Sequence, residues 1–347
     1  MEIALSKEIK RAQWTQIIVD YLFKNAYEYV KRRKIETQLA ACLMYEKNFS
    51  KDVFFPDKLS QEGLIMFQKS VQHLNLNEVE KMIEMAKKNV NFFEKDFTIK
   101  IFFHKSNVHF YVGRYPISPI HNNIYKKLCQ DLKRNGVERI HWNKKIALVL
   151  TRYLFTLKGE SHQLGIPYYN ELQQIQPIKA EMFASPLNHT LDKFCSLYPD
   201  TDMPFGSIGS VFQLLEGQLE EGFYVANPPY HPRTMDMFVE KVIQKMKQVN
   251  FSVLITCPIW DYEGLCELGL NEFAEKYYKD VKYEMFEMAK CSEFYRFHIL
   301  HPRHLHPYID HKSQTQVQVV GTYSIFLSSN PTDFEKNLYN FLSQNKK

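Results

Sequence analysis

Between residues 222 and 255 the chain reads strand, loop, helix, strand, and that order admits few folds. Gly222-Phe223-Tyr224-Val225-Ala226 is a short apolar run of strand type. Met235 to Val249 then places apolar residues at helical spacing, and Phe251-Ser252-Val253-Leu254-Ile255 is again strand-like and rich in β-branched residues. A later run from Val317 through Phe326 to Leu327 supplies a further strand. Strands alternating with helices predict a three-layer α/β sheet. In open sheets of this kind ligands sit outside the carboxyl ends of the strands, and Asn227 stands at such an end.

The loop that follows, Asn227-Pro228-Pro229-Tyr230, suits one chemistry: moving a methyl group onto a planar amino nitrogen. The lone pair of such a nitrogen is delocalised, so attack requires it to pyramidalise. The side-chain carbonyl of Asn227 and the backbone carbonyl of Pro228 can accept from the two N–H groups and favour the positive charge that develops. Pro229 stiffens the loop so that these acceptors are positioned in advance, and Tyr230 offers a ring on which a base can stack. The competing reading is an ordinary proline-rich turn after a strand.

No strand is followed by the glycine-rich turn found in many nucleotide sites. Glu181-Met182-Phe183-Ala184-Ser185-Pro186-Leu187-Asn188 stands in its place, with small Ala184 and Ser185 permitting close approach to the backbone and Asn188 able to bond a ligand. Downstream, Asp200-Thr201-Asp202 and Phe205-Gly206-Ser207-Ile208-Gly209 supply carboxylates and flexible backbone; on residue chemistry alone, the two aspartates also suit simple turn formation.

A formal charge of +5, from 44 Lys+Arg against 39 Asp+Glu, is compatible with a polyanionic partner only through local patches. Phe97 to Val112 alternates and is broken at Lys105-Ser106-Asn107, a hairpin signal; Lys100, His104 and Arg114 interleave there with aromatic residues, so an ordinary hairpin and a nucleic-acid surface are both open. Helices are expected over Lys7 to Met44, which includes Lys31-Arg32-Arg33-Lys34, and over Leu76 to Val90. Lys133-Arg134-Asn135-Gly136 reads as a helix stop and the domain boundary. Six cysteines lack any Cys-x-x-Cys pair, so reduced thiols are expected, and the histidines at 298, 301, 304, 306 and 311 have no cysteine partners for a zinc site. With Arg296 and Arg303 that histidine segment could instead touch phosphate. The absence of a membrane-length apolar run and of a signal core behind Met1 predicts an intracellular protein.

Four blocks in one order, Phe183-Ala184-Ser185-Pro186-Leu187-Asn188, Tyr198-Pro199-Asp200-Thr201-Asp202, Phe205-Gly206-Ser207 with Gly209, and Ala226-Asn227-Pro228-Pro229, resemble the catalytic domain of the phosphorylated-CTD-interacting factor family. The resemblance runs from about Ile146 to Asn330 and takes in Arg152-Tyr153 and the segment from Gln163 to Pro167. It implies an α/β fold, a Rossmann-like class I methyltransferase core over 137–332, behind a mainly helical domain over 1–136 that carries the hairpin and before a C-terminal helix or tail over 333–347. It further implies S-adenosylmethionine as cofactor, no metal, and N6-methylation of the 2′-O-methyladenosine next to the 7-methylguanosine cap of mRNA. On that resemblance Asn227, Pro228, Pro229 and Tyr230 are the catalytic candidates. Gln163, Phe183, Ala184, Ser185, Asn188, Asp200, Asp202, Gly206 and Asn227 are cofactor-side candidates, and Tyr230 and Arg296 lie on the substrate side.

Tyr230 stands where the animal enzymes have phenylalanine, which keeps the ring face and adds a hydroxyl. Trp14, Trp142 and Trp260 are too far apart for a WW domain, so binding to the polymerase tail is not expected. DNA adenine and protein glutamine methyltransferases also use an Asn-Pro-Pro-Tyr loop and form the second reading; a non-catalytic cap-binding subunit is the third.

Overall fold

A computed structural model describes residues 98–156, 164–166, 168–303, 308–310, 315–318, 321–330 and 333–344, together with Leu5, Ile9 and Gln13. Of the two expected N-terminal helices only Ile9 and Gln13 fall among the described residues, where both are helical; the rest, with the quartet at 31–34, lies outside them. The chain divides into two units, Met1–Gln163 with Leu197–Gly206, and Leu164–Ser196 with Ser207–Lys347.

In the first unit the expected hairpin is present as β1 (Ile99–His104) and β2 (Asn107–Val112), antiparallel with His104 opposite Asn107. Lys105 turns the chain with φ 53°, a left-handed conformation that costs a residue with a Cβ roughly 1–2 kcal/mol. A third strand, β3 (Tyr115–His121), pairs with β2 on the other side. Helix α1 (Asn122–Arg134) follows at once, with His121 Nδ1 accepting from Asn123 N–H at 3.2 Å as its cap. It stops where the sequence signals: Gly136 takes φ 72° and Val137 N–H donates to the Leu132 carbonyl at 2.9 Å. Val108, Phe110 and Val112 from β2, Ile117 and Ile120 from β3, and Ile124, Leu128 and Leu132 from α1 are buried. The unit does not end at Gly136. Helix α2 (Trp142–Leu150) belongs to it and runs on into a π-helical turn, Thr151–Thr156.

In the second unit β4 (Leu164–Gly165) and α3 (Tyr169–Ile175) precede β5 (Ile178–Ala184) and β6 (Phe194–Ser196). Helix α4 (Val211–Glu216), β7 (Gly222–Ala226), α5 (Pro232–Met246) and β8 (Phe251–Pro258) come next. Then follow α6 (Tyr262–Glu267), α7 (Asn271–Tyr277), α8 (Glu284–Lys290) and β9 (Tyr295–His301). The described chain closes with β10 (Tyr308–Asp310), β11 (Thr315–Val317), β12 (Thr322–Ser328) and α9 (Glu335–Gln344). The six-stranded sheet has the order β6-β5-β7-β8-β12-β9. β6, β5, β7 and β8 are parallel, and β12 runs against both its neighbours. This is a mixed α/β fold built on a mostly parallel central sheet. All eight residues of β8 are buried, as a strand covered on both faces requires.

One face of that sheet packs Phe223, Val225, Leu254, Ile299 and Phe326 against Tyr169 and Leu172 of α3 and Leu338 and Leu342 of α9. α5 begins three residues before the expected Met235 because Pro232, whose missing N–H is no loss at a first turn, opens it. The late strand is shorter than expected: Val317 ends β11, and only Thr322–Ser328 joins the main sheet.

Candidate active site

The chain leaves β5 outward to β6, then returns to the other side of β5 with β7 and continues to β8. The reversal lies between β5 and β7, and the crevice outside the carboxyl ends of two such strands is where doubly wound sheets bind ligands. Those ends are Ala184 and Ala226. Two of the blocks singled out in the sequence, 183–188 and 227–230, therefore emerge from adjacent strands paired in register at Glu181 and Val225.

Beyond β5 the chain folds on itself. Ser185 donates to Asn188 Oδ1 through its N–H at 2.7 Å and its Oγ at 2.8 Å, and Leu187 N–H returns to Ser185 Oγ at 3.2 Å. His189 N–H reaches the Ser185 carbonyl at 3.0 Å. Asn188 is thus the hub that shapes this loop. Phe183 packs edge-on against Phe238 of α5, 4.8 Å between ring centroids.

Beyond β7 the decisive atom is Asn227 Oδ1, which is buried and has no hydrogen-bond partner among the described residues. A buried, unpaired acceptor costs about 1–3 kcal/mol, and native proteins keep few of them without a use. The Pro229 carbonyl takes the His231 N–H at 2.7 Å, whereas the Pro228 carbonyl has no backbone partner among the described residues. Two acceptors are left open on one rigid loop. Tyr230 stands beside them, edge-on to Trp260 and Tyr308 at 6.2 and 6.5 Å between centroids, and its hydroxyl is hydrogen-bonded to that of Tyr308. Burial first and the Tyr308 ring second push the Tyr230 phenol well above its ordinary pKa. Burial lowers that of His231. Trp260 and Tyr308 escaped the sequence reading, and their partner Tyr230 lies 30 and 78 positions away.

Arg296, expected to meet substrate, stands elsewhere. β9 pairs with β12 so that Tyr295 opposes Leu327 while His301 opposes Thr322, and Thr322 in turn opposes Pro258 at the carboxyl end of β8. Arg296 is consequently near the amino end of the parallel strands, whereas Asn227 follows the carboxyl end of β7. Its guanidinium donates to the Ser328 carbonyl at 2.9 Å and lies 3.7 Å from Glu335 of α9, which ties Arg296 to β12 and α9. Of the histidine segment, residues 304, 306 and 311 lie outside the described residues, and His301 is buried with Nε2 2.9 Å from Ser324 Oγ.

In the first unit, Asp200 and Asp202 are on the single helical turn Pro199–Asp202. Arg152 Nη1 lies 2.8 Å from both Asp200 oxygens, with its guanidinium 4.7 Å from the centre of the Tyr198 ring. Tyr153 donates to Asp202 at 2.5 Å, and Thr201 donates to the other oxygen at 2.8 Å. Arg152 and Asp202 are 0 % exposed, so these are interior bonds rather than surface pairs. A ribose contact by either carboxylate would compete with them. Gly206 ends the following turn at φ 109°, a conformation that favours glycine. Gln163 is outside the described residues.

The family profile described as "Phosphorylated CTD interacting factor 1 WW domain" matches residues 122–311, which here build α1 to α8 and five of the six strands of the main sheet. A mouse protein named mRNA (2'-O-methyladenosine-N(6)-)-methyltransferase is 33 % identical over 112 residues, and the human protein of that name is 32 % identical over the same length. Each match covers 31 % of this chain and 15 % of the relative. The family profile spans more than half of the sequence, and the chain belongs to the phosphorylated CTD interacting factor 1 family.

Proposed function

We propose that this protein is an S-adenosylmethionine-dependent methyltransferase, with a class I core, that modifies N6 of the adenosine next to an mRNA cap. The observation that carries the reading is the unpaired, buried Oδ1 of Asn227 at the carboxyl end of β7, beside the reversal in strand order. The relatives' names, though they come from matches covering 15 % of those proteins, support the same chemistry.

The residues present fit the donor. Ala184 and Ser185 carry little side chain at the mouth of the crevice, and the Ser185–Asn188 bonds hold that loop in shape. S-adenosylmethionine, when bound, supplies an electrophilic methyl group. Asn227 Oδ1 accepts from one N–H of the adenine amine and the Pro228 carbonyl from the other, so both oxygens favour the charge that grows on nitrogen during attack. Tyr230 provides a stacking face. Its phenol holds its own proton, and the nitrogen releases its proton to solvent after transfer. The cofactor contacts of Gln163, Asp200, Asp202 and Gly206 are proposed on family resemblance; the two aspartates would exchange Arg152 and Tyr153 for ribose hydroxyls.

Incubation with labelled S-adenosylmethionine and capped RNA beginning in adenosine, uncapped RNA, duplex DNA or a glutamine-bearing release-factor-like protein tests the reading. Label should enter the capped RNA at N6. Asn227→Ala is expected to lower kcat at least about a hundredfold, as loss of a transition-state hydrogen bond does elsewhere, while cofactor affinity measured by calorimetry stays nearly constant. Label in DNA or protein alone would overturn the RNA assignment, and parallel loss of turnover and cofactor affinity would make Asn227 structural.

A further inference from the structure

We propose that the outward face of the β1–β2 hairpin in the first unit binds single-stranded RNA through base stacking. This goes beyond methyl transfer and requires neither cap nor methyl donor. Register sets Lys100 opposite Tyr111 and Phe102 opposite His109, so two cross-strand rows of ring and cation share one side of the sheet. Val108, Phe110 and Val112 occupy the other side and are fully buried. An ordinary half-buried hairpin turns polar residues outward. Here Phe102 is outward and 54 % exposed, held edge-on to Tyr111 at 5.7 Å, and His104 stacks near His109 at 6.4 Å.

Together with Gly113 these side chains line a shallow groove of about 530 Å³. Same-face residues of a strand lie about 7 Å apart, near the reach of one extended nucleotide, so successive bases can meet successive rings. The charge is complementary to a phosphate backbone. No Asp or Glu occurs between Asp96 and Asp131, while Lys100, Lys105, Arg114, Lys126 and Lys127 do. Exposed rings with interspersed cations and no carboxylates fit a nucleic-acid strand better than a peptide, whose recognition would draw on the sheet edge.

Fluorescence anisotropy of the full chain with labelled uncapped 12-nucleotide RNA, single-stranded and duplex, at several salt concentrations tests the proposal without cofactor. Phe102→Ala and Tyr111→Ala should each weaken single-strand binding about tenfold and leave the salt slope unchanged. Lys100→Ala should reduce the slope of log affinity against log salt by about 0.7. Because Phe102 is mostly exposed, Phe102→Ala should keep the wild-type melting temperature, which separates a lost contact from a lost fold. Wild-type affinity in both ring variants, or duplex bound as tightly as single strand, would overturn the proposal. Methylation of a minimal capped dinucleotide should be the same in Phe102→Ala as in the wild type, so failure of that reaction counts against the methyltransferase reading alone.

Discussion

Two hydroxyls sharing one buried hydrogen bond respond very differently to the loss of one and the loss of both. Tyr308→Phe leaves the Tyr230 hydroxyl buried without its partner, which costs about 1–3 kcal/mol, whereas removing both hydroxyls removes the need for either. Calorimetric melting should therefore place Tyr308→Phe below the wild type and the double variant Tyr230→Phe/Tyr308→Phe above the single one. Additive losses would mean that the two hydroxyls are not coupled. The ring of Tyr230 survives in the double variant, so methyl transfer should persist there. The Tyr230 hydroxyl is a tie between the loop after β7 and β10. Nothing in the tetrapeptide announces it, because Tyr308 lies 78 residues downstream.

At the level of elements, α5 begins at a histidine whose protonation is opposed twice. His231 is the N-cap residue of α5, burial already lowers its pKa below the ordinary 6.5, and the helix N-terminus is the positive end of the backbone dipole. The unfolded chain consequently takes up this proton at higher pH than the folded one. Its effect is absent while both states are neutral; as pH falls below about 6.5 stability is lost, until the folded form also protonates. Urea midpoints measured from about pH 8 to about pH 5 should fall less steeply for His231→Asn than for the wild type. The strands and helices nearest Asn227 were legible because each follows from local pattern: Phe223 to Ala226 is apolar throughout, and Met235 onward carries apolar residues at helical spacing. β3 was not, because Pro116 and Pro119 suggest a loop. Both prolines are tolerated there since β3 is an edge strand, paired only with β2. Sequence neighbours suggested a basic loop at Arg296, while strand register sets it in β9 at the amino end of the parallel strands.

For the molecule as a whole, the consequential fact is that ten residues, Leu197–Gly206, belong to the first unit although the second unit surrounds them in sequence. In the sequence, Lys133-Arg134-Asn135-Gly136 reads as a helix stop and a boundary; the bonds from Arg152 to Asp200 and from Tyr153 to Asp202 join residues 48 and 49 positions apart within the first unit. Arg152 and Tyr153 leave the π-helical turn to hold Asp200 and Asp202, so these bonds join two stretches of the first unit that residues 164–196 of the second separate in sequence. A fragment spanning residues 164–347 would carry both carboxylates away from their partners. Losing one member of a buried ion pair costs about 3–5 kcal/mol, much of a typical domain's margin. That fragment should unfold over a broad urea range with a reduced m-value, while the full chain keeps a steeper transition. Arg152→Ala in the full chain should lower the midpoint by a comparable energy, followed by circular dichroism in urea, and Asp200→Asn should lower it less, because the buried guanidinium keeps a neutral acceptor and the Tyr198 ring. A sharp, wild-type-like transition in the isolated fragment would show that Leu197–Gly206 folds without Arg152 and Tyr153, and that the interleaving of the two units does not contribute to stability.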